Sequence, residues 1–477
     1  MTRCVVIVAV WRRPLDLSLL QKPFDQRLIV VGPKSMIHGE NNIDTFHYVD
    51  GPVSRKDKNY ASIIQKVLEL CAGLGTTRCR LLTFERALQQ EMAQIRTELN
   101  LEGLRFKQYY ELFNRKEMKS ICKKGSVPSA RSCSLSSITA HLDQWVDHAT
   151  NNVGRYPIVV RPQQNVQYGY CGMRIIHNPD EFSDYLKEML ARQHGETNKP
   201  IEIIAEECVA DGQEVVVMFS SKTGLFAAMA AVEPSSTFLS ASRHHEPYAI
   251  EYLNADQTRD NFPGLETFVT QTMKSIFPFE HSEVLFLKAF YKTHSNIKFM
   301  NVSLEIHNDT LASLFAEANK GKSWEAAIIE SIFDTVLTPI DEPTSPNGFS
   351  TATTDVVPQD HMHYAVLNYP TTEGIILHQV TIPKRKSTKR VAWRVYENEE
   401  MIEAEYIDDN IVQVYLYNSD RQQLLGDIRE TIRRTHLPID KFTPIDKNAV
   451  RWRKGRKEDR FFSVAGNTLI RSCTTAD

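Results

Sequence analysis

Four short stretches carry side chains able to do chemistry, each at the end of an apolar or helical run. Phe113-Asn114-Arg115-Lys116-Glu117-Met118-Lys119 is a basic helical segment that runs toward Gly125-Ser126-Val127-Pro128, and Lys116 is its candidate cation. Tyr156-Pro157-Ile158-Val159-Val160-Arg161-Pro162 is an apolar strand that delivers Arg161 to a loop holding Gly169 and Gly172. A guanidinium and loop N–H groups placed that way can hold the same phosphate oxygens. Ile203-Ile204-Ala205-Glu206-Glu207-Cys208-Val209 then turns at Asp211-Gly212-Gln213-Glu214 into a second strand. Backbone groups of Glu207 and Val209 suit an adenine edge, and a carboxylate at the corner can accept ribose hydroxyls. Last, Val302–Ile306 and Leu314–Ala316 read as neighbouring strands, so Glu305, Glu317 and Asn319 project from consecutive strand ends. Two carboxylates and an amide with open positions suit Mg²⁺ bridging phosphates. Taken singly these are a basic surface helix, two polar-ended hairpins and a pair of acids on a sheet rim. Their order carries the reading.

The elements that must position these groups follow from hydrophobic spacing. Over residues 1–110, short β-branched or aromatic runs (Cys4–Val8, Arg27–Val31, Thr45–Val49, Arg80–Thr83) alternate with helical stripes at Ile63, Ile64, Val67, Leu68 and Cys71 and at Leu88, Met92, Ile95 and Leu99. That alternation predicts a largely parallel sheet with helical crossovers. Residues 111–335 read as α+β. There Asn178-Pro179-Asp180-Glu181 predicts a helix start, with Asn178 as cap, proline at the first helical position and Glu181 closing a capping box. Strands are expected at Ile201–Cys208, Glu214–Phe219 and Leu225–Ala231, and a helix near Leu265–Ile276. A segment rich in Pro, Ser, Thr and Asp predicts a linker over 336–360. Beyond it lie a small C-terminal unit of short strands and one helix (361–440) and a basic tail (441–477) containing Arg451-Trp452-Arg453-Lys454-Gly455-Arg456-Lys457.

Bulk properties narrow the class. A chain of 477 residues exceeds one hydrophobic core, so several domains are expected. A net charge of -3 gives no whole-molecule reason to bind nucleic acid or a membrane surface. The eight cysteines form no CxxC pair or zinc-like spacing, which reads as reduced thiols. The first apolar run is about seven residues long and ends at Arg12-Arg13-Pro14, a buried strand rather than a leader. No stretch reaches the roughly 18–20 apolar residues that span a bilayer. A soluble, cytoplasmic protein is expected.

In that order, and with Thr83-Phe84-Glu85 ahead of a helix, the stretches resemble the ATP-grasp superfamily: a lysine helix, a V-V-(K/R)-P strand, a hinge followed by G-x-E, and an E…E-x-N metal pair. The resemblance spans roughly residues 1–440. The C-terminal unit, with Thr372-Glu373-Gly374-Ile375-Ile376, is similar to the cap domain of carnosine synthase-like and bacterial L-amino-acid ligases. The resemblance implies a fold of the α/β and α+β classes: a pre-ATP-grasp α/β domain, a two-lobed ATP-grasp domain and a small C-terminal α+β cap domain. It implies ATP and Mg²⁺ as cofactors, with Lys116 and Arg161 on the phosphates, Glu206, Glu207, Cys208 and Val209 as the adenine hinge, Glu214 on the ribose, and Glu305, Glu317 and Asn319 on the metal. The implied reaction is carboxylate–amine ligation through an acylphosphate, on small-molecule carboxylate and amine substrates; homodimers are common among such proteins. Three positions depart from the pattern. Arg161 stands for the usual lysine, Gln164 to Tyr168 replace small loop residues, and Gly321 stands where an arginine is common, leaving Lys320 or Lys322 to reach the same oxygens. The departures motivate a second reading, a nucleotide-binding protein without ligase turnover that serves regulation or interaction.

Overall fold

Residues 5–10 form an unbroken apolar run, and a strand that buries both of its faces needs that pattern. It is β1 (Cys4–Ala9), followed by β2 (Leu15–Asp16), β3 (Gln26–Gly32), β4 (Ile37–His38), β5 (Thr45–Tyr48), α1 (Asn59–Leu74), β6 (Cys79–Thr83) and α2 (Arg86–Glu98). The computed structural model describes residues 4–11, 14–49, 59–74, 79–136, 144–162, 173–193, 202–209, 212–220, 224–232, 238, 241, 244–276, 284–306, 309–337, 362–401, 404 and 409–440. The glycine-containing loop after Arg161, residues 338–360 of the expected linker and the basic tail lie outside them. The N-terminal strands pair in parallel in the order β5-β3-β1-β6, as the βα alternation predicts. Val5, Ile7 and Ala9 face α1 and α2 through Ile63, Val67, Leu88 and Met92. Val6, Val8 and Val10 face the other way, into the core of the central sheet with Val216, Phe286 and Trp324. The N-terminal unit thereby shares a core with the rest of the molecule.

The next elements are α3 (Phe106–Phe113), α4 (Arg115–Lys124), β7 (Ser132–Ser136), α5 (Trp145–Val153), β8 (Ile158–Pro162), β9 (Arg174–Ile176), α6 (Pro179–Gln193) and β10 (Glu202–Glu207). Here β7-β10-β8-β9 make an antiparallel sheet, packed with α5 and α6 through Trp145, Phe182 and Tyr185. The Asn178 cap forms as expected: its Oδ1 accepts the Glu181 N–H at 2.9 Å, and Glu181 accepts the His177 N–H at 2.8 Å.

The third group comprises β11 (Gln213–Ser220), β12 (Gly224–Ala231), β13 (Tyr248–Asn254), α7 (Ala255–Asn261), α8 (Leu265–Ile276), β14 (Val284–Thr293), β15 (Asn296–Ser303), α9 (Asp309–Ala318) and α10 (Trp324–Leu337). It continues through β16 (His363–Pro370), β17 (Gly374–Ile376), β18 (Thr388–Trp393), β19 (Glu400–Met401), β20 (Asn410–Asn418), α11 (Arg421–Arg434) and β21 (Ile439–Asp440). Eight of these strands form one antiparallel sheet, β15-β14-β11-β12-β13-β16-β20-β18. Of the strands from residue 363 onward, β16, β20 and β18 extend the central sheet across the β13–β16 pairing, and β19-β17-β21 form a small sheet of their own. Among the described residues no helix is long and apolar enough to cross a membrane.

One expected pair of strands is corrected. Leu314–Ala316 is not a strand but part of α9, whose Leu311, Leu314 and Phe315 are buried at helical spacing. The helix ends in a Schellman turn: Lys320 (φ 55°) and Gly321 (φ 92°) are left-handed, and the Gly321 N–H donates to the Ala316 carbonyl at 2.8 Å. Val302 and Ser303 instead close β15, the partner of β14, and Glu305 lies beyond that strand.

Glu251 on β13 fastens the C-terminal helix to the sheet. Its carboxylate is buried and accepts from Arg421 of α11 twice, at 2.6 and 3.0 Å. Arg421→Ala leaves that carboxylate unpaired. Because the arginine is partly solvated, we expect a loss of about 2–3 kcal/mol rather than the larger cost of breaking a fully buried pair. Denaturant melts should show this loss in a single transition, whereas a separately melting C-terminal unit would show it in a second one.

Candidate functional site

α4 is started by Asn114, whose Oδ1 accepts the N–H groups of Lys116 and Glu117 at 3.1 and 3.2 Å. Its buried face is Arg115, Met118, Lys119 and Cys122, the i, i+3, i+4, i+7 stripe of one helical side. Lys116, one position out of phase with Arg115, is exposed. The inward cations are therefore Arg115 and Lys119, and the apolar partners Met118 and Cys122 on the same stripe are the sequence signal that identifies them.

Lys119 meets Glu206 of β10 at 2.9 Å, and Arg161 of β8 pairs with the same carboxylate. The antiparallel β8–β10 register sets Arg161 opposite Ile204, so Arg161 and Glu206, two residues on from Ile204, share one face of the sheet. Glu206 is only 3% exposed, so a single carboxylate serves two buried cations. Burial, with Arg161 and Arg115 beside it, pulls the Lys119 ammonium down to about 7. Burial and the nearby Arg86 lower Arg115 to about 10. Its Nη1 is buried and has no hydrogen-bond partner among the described residues.

The hinge residues lie next along the chain. The Glu207 N–H donates to the Arg131 carbonyl at 2.8 Å, and its carboxylate accepts from the Arg131 N–H at 3.2 Å and from Lys298 of β15 at 3.0 Å. Burial raises its proton affinity, but Lys298 and Arg131 outweigh that and hold the carboxyl below its usual range. Val209 is buried and Cys208 half-buried, its thiol pushed up by burial and by Glu207.

The floor is the face of the large sheet that carries Glu214 and Val216. Lys288 on β14 pairs directly with Val216, and Asn301 on β15 pairs with Lys288, so all lie on one face. Glu214 is 2% exposed and accepts the Phe238 N–H at 3.0 Å. Burial raises its pKa against the pull of Lys288 and that hydrogen bond. Lys288 is lowered by burial; Glu214 opposes the shift, while Arg115 and Arg161 add to it. Asn301 Oδ1 is buried without a hydrogen-bond partner among the described residues.

The residues read as metal ligands have separate surroundings. Glu305 accepts the Arg86 N–H at 3.0 Å, at the start of α2 where a helix dipole favours an anion. Glu317, in the last turn of α9, pairs with Lys389 at 2.6 Å and Arg390 at 2.8 Å. Burial raises Glu317, but those two cations leave it below the usual carboxylate range. The Asn319 amide donates to the Phe315 carbonyl at 2.7 Å and shares a hydrogen bond with Tyr252. Lys320 is exposed at the helix end. The grouping of Glu305 with Glu317 and Asn319 assumed two adjacent strands, and the helix at 309–318 removes that basis. Among the described residues no group of three or more His, Cys, Asp or Glu is placed to hold a metal; Glu317 is engaged by Lys389 and Arg390, and Glu305 by the Arg86 N–H.

Comparison of the whole structure gives the class: this is the ATP-grasp fold. The chain is similar to an L-amino acid ligase from Bacillus licheniformis at 11% identity and a TM-score of 0.56, over 92% of this chain and 100% of that one. It is also similar to the biotin carboxylase domain of the Hydrogenobacter thermophilus 2-oxoglutarate carboxylase, solved with MgADP, ADP and bicarbonate (11%, TM-score 0.53, 91% of this chain, 90% of that). A third is the N5-carboxyaminoimidazole synthetase from Staphylococcus aureus complexed with ADP (12%, TM-score 0.53, 90% and 97%). No protein-family model and no curated protein matches the sequence.

The Lys119 environment has a measurable sign. Its folded value of about 7 lies below the ordinary 10.5, so between those limits the unfolded chain holds more protons and stability rises with pH. The stability of the native protein relative to Lys119→Met should climb from pH 7 to pH 9 in paired melts. A pH-independent difference would mean that Lys119 is not held at a lowered pKa.

Proposed function

We propose that this chain binds an adenine nucleotide in the cleft between the β7-β10-β8-β9 sheet and the β15-β14-β11 end of the large sheet. The observation that carries the reading is the convergence of Arg115, Lys119, Arg161 and Lys288 around Glu206 and Glu214. Four cations from a helix, two sheets and three separate chain regions have no common apolar purpose, and they suit a run of phosphates. Glu207, Cys208 and Val209 follow as the adenine hinge, held in place by Arg131 and Lys298. In this reading the phosphate role foreseen for Lys116 passes to Arg115 and Lys119, and Glu214 serves the ribose.

Two uses of the nucleotide are open to such a site. Ligation of a small carboxylate to an amine, through an acylphosphate and with Mg²⁺, is supported by what the similar structures are named for. Nucleotide binding without ligase turnover is supported by the sheet floor, where the cross-strand neighbours Lys288 and Asn301 offer an ammonium and an amide rather than carboxylates, and we adopt it. In either use the residues of this chain bind and orient the phosphates, and no proton transfer is assigned to them.

Calorimetric titration of the full chain with ATP and ADP should show saturable binding. Arg161→Met removes a charge-assisted contact worth about 1.5–3 kcal/mol and should weaken binding by roughly tenfold to a hundredfold. In a pooled amino-acid screen with Mg·ATP, ADP release should not exceed the acceptor-free control. Release that requires both a carboxylate and an amine would establish the ligase reading instead.

A further inference from the structure

The cleft's charge balance is inverted relative to what a magnesium–nucleotide site needs. Mg²⁺ takes carboxylate oxygens, phosphates and water, and the protein must supply the carboxylates. Among the described residues Arg115, Lys119, Arg161 and Lys288 gather about Glu206 and Glu214, with Glu207 held by Lys298 and Arg131. Glu206 is held by Lys119 and Arg161, and Glu214 accepts the Phe238 N–H. On the sheet floor the cross-strand neighbours are Lys288 and Asn301, an ammonium and an amide.

Two further observations show positive charge that the protein leaves uncompensated. Arg115 is 8% exposed, and its buried Nη1 has no hydrogen-bond partner among the described residues, so a donor of fixed geometry awaits an acceptor. Beyond the effect of burial, Arg115 and Arg161 each lower the proton affinity of both Lys119 and Lys288, as like charges packed close together do, although Glu214 opposes the shift of Lys288. A bare phosphate chain relieves that repulsion. A divalent cation would add to it.

Resting on the nucleotide-binding reading, we propose that the site takes a nucleoside di- or triphosphate as the metal-free anion, with Arg115, Lys119, Arg161 and Lys288 supplying the charge that a divalent cation brings elsewhere. The ligand class is an uncomplexed polyphosphate nucleotide. Magnesium competes for the ligand by complexing its phosphates, instead of bridging them to the protein.

The test is titration of the full chain with ADP and with ATP at constant ionic strength, once with excess EDTA and once with saturating Mg²⁺. Binding should be as tight or tighter in EDTA. Lys288→Met, its folding confirmed by an unchanged melting profile, should weaken metal-free ADP binding by about tenfold. Lys288→Glu should abolish it in EDTA, because a third carboxylate then meets the phosphates. If Lys288→Met fails to fold, Arg115→Met carries the same expectation from the other side of the cleft. Binding that appears only with Mg²⁺ and is lost in EDTA overturns the metal-free proposal while leaving the nucleotide site standing. No binding of either nucleotide under either condition overturns both.

Discussion

One carboxylate organises the centre of this molecule. Glu206 stands between Lys119 and Arg161, so α4, β8 and β10 meet at a single buried anion. Removing three charges from water is costly, and the arrangement is tolerable only because the carboxylate accepts from both cations. Glu206 carries one charge against the two of Lys119 and Arg161; Arg115 adds to the positive side, and Lys288 does so with Glu214 opposing it. Charge excess in a buried place is a standing demand for an anionic ligand.

The large sheet holds the opposite wall. Because β16, β20 and β18 continue the ladder from β13, the C-terminal residues brace the strands that carry Glu214, Lys288 and Asn301. The N-terminal sheet adds Val6, Val8 and Val10 to the same core. The floor of the cleft is thus built from apolar burial on the far scale of the chain, and the polar groups ride on it. The smaller sheet bearing Arg161 and Glu206 is joined to this floor by the Phe299 N–H bond to the Pro128 carbonyl at 2.7 Å and by the Lys298–Glu207 pair. The fold alone does not fix a function, and under the nucleotide-binding proposal these placed charges would carry it.

How much of this is legible in the chain differs by element. The caps at Asn114 and Asn178, the strand that ends in Arg161, and the turn from Val209 into β11 are local and readable, because propensity, capping and a strand's period are set by neighbours in sequence. The α4 cations are half readable. The helix is evident, but choosing Lys116 over Lys119 ignores the 100° step that aligns Lys119 with Met118 and Cys122. The hairpin of β14 and β15 passed unread although Val284–Phe290 is strongly apolar. The short run Leu314–Ala316 suits a strand or a helix equally, and the Asn319-Lys320-Gly321 turn that decides for a helix was read as a metal motif.

By itself the sequence determined most element types and the chain order of the strand-end charges, since hydrophobic period and turn chemistry act over a few residues; the ATP-grasp layout came from the resemblance of the ordered motifs. Only the tertiary structure decided which charges meet. Lys119 reaches Glu206 across 87 positions, Lys288 stands beside Asn301 through strand register, and Glu317 meets Lys389 and Arg390 from a helix rather than a strand. Such pairings depend on register and packing between distant segments, and a one-residue change of phase in a helix or strand turns a buried cation into a solvated one.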